Sequence, residues 1–317
     1  MFSHPFLSLL AQTFLSFVFF FIPNSQFFSL LTQAFFCFVF FSFLFYQLPI
    51  LFVMEENPCS ETHSSAQLRD EWLEIQDSLK KKLITDDDFY WKLRLPAKKE
   101  EEEEILRHVG GVDLSFAKDD PSTACGTLVV LDLLNNLNVV YEDSSLVKLD
   151  VPYVPGFLAF REAPVLLELL EKMKKSAHPF YPQLLMVDGN GILHPRGNFV
   201  GFGLACHLGV LANLPTVGIG KNLHHVDGLT LAKVRQLLEV KENSSRDVFT
   251  LIGDSGRTFG MALRSTQGLL KPIFVSVGHR VSLATAIKVV KMTCRFRIPE
   301  PIRQADIRSK QKLSSLF

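Results

Sequence analysis

Along this chain the pattern of apolar and polar positions changes register several times, and each change predicts an element. Leu68, Trp72, Ile75, Leu79 and Leu83 recur at spacings of three and four, which predicts a helix over residues 66–83. From His108 the pattern shifts to β-branched runs. His108–Ala117, Thr123–Asn135 and Asn138–Asp143 predict three strands, with Asp119-Asp120-Pro121 and Asn135-Asn136 as the turns of an antiparallel meander. Ala163–Lys175 reads as an amphipathic helix with Pro164 near its start, where a missing amide proton costs nothing. Leu184–Val187 is a short apolar run ending at Asp188, as a buried central strand would. A helix over Phe202–Leu211, a strand over Thr216–Ile219 and a helix over 229–239 follow. Val248–Ile252 and Phe259–Leu263 predict a hairpin around Gly253-Asp254-Ser255-Gly256. Ile273–Ser276 is a strand leading into His279, and Leu283–Thr293 is a closing helix.

Three meander strands followed by strand–helix alternation predict an α/β fold. The expected architecture is a ribonuclease H-like α/β/α sandwich with a central mixed five-stranded-type sheet, plus a C-terminal hairpin and helix. The Lys/Arg-rich stretch Arg295–Lys312 reads as an exposed basic arm, with 309–317 as a basic tail. The run from Lys98 to Glu104 reads as a solvated loop.

The N-terminus follows no such pattern. Met1 to Met54 contains no Lys, Arg, Asp or Glu and is dominated by phenylalanine. Residues 6–22 and 27–53 have the hydropathy of membrane segments, yet there is no positive n-region and no basic flank to set an orientation; the first cation is Arg69. The preferred reading is an upstream extension, with the working protein starting at Met54. A membrane anchor and an atypical targeting peptide are the alternatives. The expected organisation is an apolar segment at 1–53, a disordered linker at 54–65, a single folded domain at 66–308 and the tail.

Charge and cysteines narrow the function. The chain has 33 Lys+Arg against 33 Asp+Glu, so a nucleic-acid binder would need a local basic face. Cys37, Cys59, Cys125, Cys206 and Cys294 have neither zinc nor redox spacing, which reads as reduced thiols. Gly218-Ile219-Gly220-Lys221-Asn222 fails the phosphate-loop pattern, because Pro215 occupies the first-glycine position and Asn222 the Ser/Thr position. No nucleotide cofactor is expected; Lys221, just after a buried strand, could contact a backbone phosphate.

The candidate chemistry sits at strand ends. Asp113 lies within a strand, where a carboxylate is costly unless it binds something. Asp188 ends the next core strand, and Glu162 stands at the start of a helix. Each has a bland alternative: a strand end, an Asp-Gly turn, a helix-dipole partner. Together they can form an oxygen-only cation site suited to magnesium and phosphodiester chemistry. Tyr153, held between Pro152 and Pro155, is either a hydrophobic loop anchor or a rigid aromatic tip able to stack on a base. His279 would sit at a strand end unhindered beside Gly278; His207, His224 and His225 read as structural or surface residues.

Four stretches in order resemble the endonuclease V family. They are Gly111-Val112-Asp113, the run from Pro152-Tyr153-Val154-Pro155 through Arg161-Glu162, Val187-Asp188-Gly189-Asn190-Gly191 with His194-Pro195-Arg196, and Gly278-His279. The resemblance covers about Arg69 to Arg308. It implies an endonuclease cleaving the second phosphodiester bond 3′ to inosine and leaving 3′-hydroxyl and 5′-phosphate ends. Asp113, Glu162 and Asp188 would be catalytic carboxylates around magnesium, with manganese able to substitute, and His279 would complete the site. Tyr153 would be the wedge. Leu158, Gly189, His194, Gly203 and Leu204 would line the base pocket, and Lys221 would hold a phosphate. Gly197-Asn198-Phe199-Val200 looks like an insertion relative to bacterial-type sequences, and the tail resembles eukaryotic members. By that likeness the partner is inosine-containing single-stranded RNA, ahead of DNA, bound by a monomer in the nucleus, nucleolus and cytoplasm, with membrane association only if residues 1–53 are translated. The rivals are another ribonuclease H-like nuclease of resolvase or transposase type, and a membrane-tethered, non-catalytic nucleic-acid-binding protein.

Overall fold

The computed structural model describes residues 65–93, 104–195, 201–240, 247–266 and 271–315. The apolar segment 1–53, nearly all of the linker 54–65, most of the charge run after Pro96 and the stretch 196–200 lie outside these residues. Helix α1 (Ser65–Lys80) is followed by β1 (His108–Phe116), β2 (Thr123–Asp132) and β3 (Asn138–Lys148). Next come α2 (Leu158–Lys175), β4 (Leu184–Asp188), α3 (Leu204–Ala212) and β5 (Thr216–Gly220). The chain closes with α4 (Leu231–Val240), β6 (Val248–Ile252), β7 (Thr258–Leu263), β8 (Ile273–His279), α5 (Leu283–Thr293) and α6 (Glu300–Ser314).

Among the described residues the strands form one sheet in the order β3-β2-β1-β4-β5-β8-β7-β6. The first three make the expected antiparallel meander. β1, β4 and β5 run parallel, which requires the α2 and α3 crossovers between them. β8 returns antiparallel to β5, and the β6–β7 hairpin continues the sheet beyond it. The hairpin is thus an extension of the central sheet.

Residue alternation places one helical layer on each face. Leu185 and Val187 of β4 pack with Leu166, Leu169 and Leu170 of α2 and Leu204 and Leu208 of α3. Leu184 and Met186 point the other way, into a cluster with Val289 and Val290 of α5 and Ile302 of α6. This is the ribonuclease H-like α/β/α arrangement.

Two details of the fold decide the site. Helix α2 begins at Leu158, five residues before the expected start, so Pro164 lies inside it and Glu162 is a buried helical residue, not a solvent-facing first-turn one. The second detail is a correction. The basic arm expected over Arg295–Lys312, with its tail from 309, is instead largely helix α6. Its stripe of Ile302, Ala305, Ser309 and Leu313 is buried. Gly111 permits the close approach: a Cβ there would stand 2.2 Å from the Pro301 backbone. The start of α6 presses on β1 at that point, and the helix then runs alongside the strand towards Asp113.

Candidate active site

Three carboxylates converge on the α6 side of the sheet. Asp113 and its neighbours Gly111 and Ser115 share one face of β1, and Asp188 closes β4 one strand away. Asp306 descends from α6. Ligand oxygens of Asp113, Asp188 and Asp306 all lie within 4.8 Å of one another. Asp113 is only 5% exposed, and its Oδ2 accepts hydrogen bonds from Ser115 Oγ at 3.1 Å and Ser309 Oγ at 3.0 Å. The two hydroxyls are 2.7 Å apart. Asp306 and Ser309, three residues apart, share a face of α6.

Glu162 reaches the same region from α2, on the opposite face. Burial first, then the charges of Asp113 and Asp188, push its carboxyl up to about 8. Burial likewise raises Asp113 to about 7, with the Asp188 carboxyl beside it adding to the effect. Lys221 is the cation that bridges the group, its Nζ 2.5 Å from Asp188 and 3.8 Å from Asp306, while Lys310 pairs with Asp306 from the exposed side at 2.8 Å. Burial alone would lower the lysine's affinity for its proton; Asp188 outweighs it and holds the ammonium charged. Four clustered carboxyls outnumber the ammonium groups of Lys221 and Lys310 beside them, and the donors are all oxygen. That set fits a hard divalent cation, and Lys221 marks where positive charge is wanted.

The other expected residues divide. Tyr153 is 64% exposed, while Phe157 behind it is buried against Trp72, which also stacks on Phe160 at 4.8 Å. The loop is anchored from below, leaving the tyrosine free at its tip. Leu158 opens α2, Gly203 caps α3 and Leu204 is buried beside Gly189. Ala205 N donates to the Asn190 carbonyl, and Gly203 N to that of Gly191, so the loop after Asp188 is tied to the start of α3. Burial, with His224 nearby, lowers His194 to about 4 and keeps it neutral.

His279 does not join the carboxylates, and this is a correction. β8 runs antiparallel to β5, so His279 pairs with Thr216 at the beginning of β5, whereas Asp188 is level with Ile219. Three residues of strand separate the two levels, about 10 Å at the usual rise. The ring is buried, and its Nδ1 accepts the backbone N–H of Ile84 at 3.2 Å. Sequence reasoning counted forward to a strand end without asking which end. It missed Asp306 because the surrounding positive charge masked the buried stripe of α6.

An acidic cluster on adjacent parallel strands of this sheet, closed by a helix from the C-terminus, defines a nuclease of the ribonuclease H-like class. A sequence model described as Endonuclease V matches residues 90–307. Mouse endonuclease V is 53% identical over 206 residues, 65% of this chain and 60% of the mouse protein. Human endonuclease V is 52% identical over 212 residues, 66% of this chain and 72% of the human protein. The crystal structure of the human catalytic domain superposes with a TM-score of 0.71 at 46% identity, covering 80% of this chain and 99% of that one. A Ciona intestinalis endonuclease V, solved with a 23mer DNA containing an inosine followed by a ribo-adenosine, gives 0.71 at 31% identity, covering 80% of this chain and all of that one. The chain belongs to the endonuclease V family.

Proposed function

We propose that this protein is an endonuclease that cuts inosine-containing strands at the second phosphodiester bond 3′ to the inosine, leaving 3′-hydroxyl and 5′-phosphate ends. The observation that carries the reading is the group of Asp113, Asp188 and Asp306 within 4.8 Å, with Glu162 and Asp113 both held far above the ordinary carboxylate range. Magnesium, or manganese in its place, would be held by these carboxylates and would supply Lewis acidity towards the phosphate and a more acidic water.

The protein's own groups do the rest. Tyr153 fills the gap left by a base turned out of the stack. Leu158, Gly189, His194, Gly203 and Leu204 enclose that base, and the neutral imidazole adds no charge to the pocket. Lys221 exchanges its contact with Asp188 for a phosphate oxygen at the cut. Ser115 and Ser309 engage one oxygen of Asp113, leaving the other for the cation.

Inosine in single-stranded RNA is the favoured substrate, with DNA second, and the protein acts as a monomer. Among the described residues no helix is long and apolar enough to cross a membrane. A nuclear, nucleolar and cytoplasmic location fits the substrate. The test is incubation with RNA and DNA oligonucleotides carrying one inosine, with and without magnesium. Magnesium-dependent cleavage of the inosine strands, and not of adenosine controls, is expected; equal cleavage of both would reject the reading. Alkali-resistant membrane retention of the endogenous protein would reject the location.

A further inference from the structure

One cleft is not used by the site just described. It measures about 700 Å³ and opens between α4 and the joined ends of β5 and β8. Leu223, Leu231, Val234, Leu238 and Phe274 give it an apolar wall. Lys221, Arg235, Arg264 and Lys271 also line it, and among the described residues no carboxylate does. Its position follows from sheet register. Gly220 pairs with Phe274, and Asp188 pairs with Ile219, so the cleft and the acidic cluster open at the same end of the sheet. Lys221 belongs to both. The lips are fixed: an Arg297 guanidinium nitrogen donates to the carbonyls of Lys221 at 2.9 Å and Pro272 at 3.0 Å. Arg264 ties the wall by donating to the Leu238 carbonyl at 2.6 Å, and its buried Nε has no hydrogen-bond partner among the described residues. Arg235 and Lys271 are exposed and carry no ion pair among the described residues.

We propose that this cleft seats a nucleotide of the substrate strand flanking the cleaved bond, its base on the apolar wall and its phosphate among the cations. A strand crossing Asp113, Asp188 and Asp306 meets Lys221 next, and the cleft beyond it offers what a nucleotide needs: width, an apolar face and positive charge. An uncharged or cationic ligand would leave the cationic side chains unmatched, so charge complementarity, together with the apolar wall, selects nucleic acid. The inference rests on the nuclease reading.

The test uses the full chain and inosine oligonucleotides whose two flanks are trimmed one nucleotide at a time. Binding is read by fluorescence anisotropy without added divalent cation, and cleavage separately with magnesium. For the unmodified protein, trimming one flank past a set length should weaken binding about tenfold. The double variant Arg235→Ala/Lys271→Ala should bind the untrimmed strand as weakly as the trimmed one and show no further loss on trimming. Its slope of log affinity against log salt should fall by about 0.7 for each phosphate no longer neutralised. An abasic residue at the critical position should remove part of the same advantage. Unchanged binding by the variant, or an equal loss at every length, overturns the proposal. If no inosine strand is cleaved, the nuclease reading fails while the flank dependence of binding still reports on the cleft. If cleavage occurs and the flank advantage survives in the variant, the cleft fails alone.

Discussion

The two ends of the central sheet invite comparison, because each carries polar side chains where strands finish. At one end stand Asp113, Asp188, Asp306 and Lys221; at the other stand His279 and Thr216. The second set is closed. His279 takes the Ile84 amide, Thr216 donates to the Ala205 carbonyl at 2.9 Å, and burial holds the imidazole neutral at about 4. The first set is open in energetic terms. Its carboxyls are forced together, Asp113 and the adjoining Glu162 retain protons well above the usual range, and one lysine serves several acids. A polar residue at a strand end is therefore not functional by position. What distinguishes the active end is charge gathered beyond what the fold itself neutralises.

The sharpest way to break this comparison is to remove the carboxylate that sequence pattern alone did not reveal. Asp306→Asn should reduce cleavage by about a hundredfold or more, as should Asp113→Asn and Asp188→Asn. Inosine-strand binding should be largely retained, because in the proposed mechanism these groups hold the cation and not the base. Cleavage with titrated magnesium, beside a melting curve to confirm folding, measures it. Near-normal turnover in Asp306→Asn would detach α6 from the chemistry.

Tyr153 carries the next largest effect. Tyr153→Ala should weaken binding to a duplex inosine substrate by about 1–3 kcal/mol, the usual worth of a stacked base. The loss should be smaller on a flexible single strand, where less unstacking is needed. Equal losses on both would make the tyrosine a loop anchor, a role Phe157 and Trp72 already fill.

Ser309 offers a finer cut within the active end. Ser309→Ala leaves Asp306 in place but frees Asp113 from one of its two hydroxyl donors. A hydrogen bond to a carboxylate is worth about 1.5–3 kcal/mol, so the magnesium concentration for half-maximal cleavage should rise about tenfold, with a smaller change in turnover at saturation. An unchanged magnesium requirement would mean that the serine only packs.

Much of this end was legible in the sequence. The β1 and β4 strands, the carboxylates Asp113 and Asp188 on them and the proline-framed Tyr153 follow from short-range pattern. Asp306 did not, for a physical reason: a helix rich in Arg and Lys can still bury one stripe, and Ile302, Ala305, Ser309 and Leu313 supply it at spacings of three and four. Reading net charge hid that periodicity, although Pro299-Glu300-Pro301 marks a helix start. His279 was misplaced because strand direction is a property of the sheet. Only the pairing of β8 with β5 shows that His279 stands at the opposite end from Asp188.

His279 carries the smallest expected effect. His279→Ala removes the acceptor of the half-buried Ile84 amide and should cost about 0.5–1.5 kcal/mol, the net worth of one hydrogen bond, while cleavage at a temperature where the variant is folded should stay within about twofold. Acidity sharpens the contrast, because the two ends titrate with opposite sign. His279 is lowered from 6.5 to about 4, so its contribution to stability is complete above 6.5 and is lost as pH falls through 4. Asp113 and Glu162 are raised to about 7 and about 8, so their contribution is complete below the ordinary carboxylate range and is lost as pH rises through those values in cation-free protein. Melting curves of His279→Ala should therefore lose part of the decline seen below pH 6, and those of Asp113→Asn part of the decline towards pH 8. A His279→Ala protein that melts normally and no longer cleaves would return the histidine to the active site.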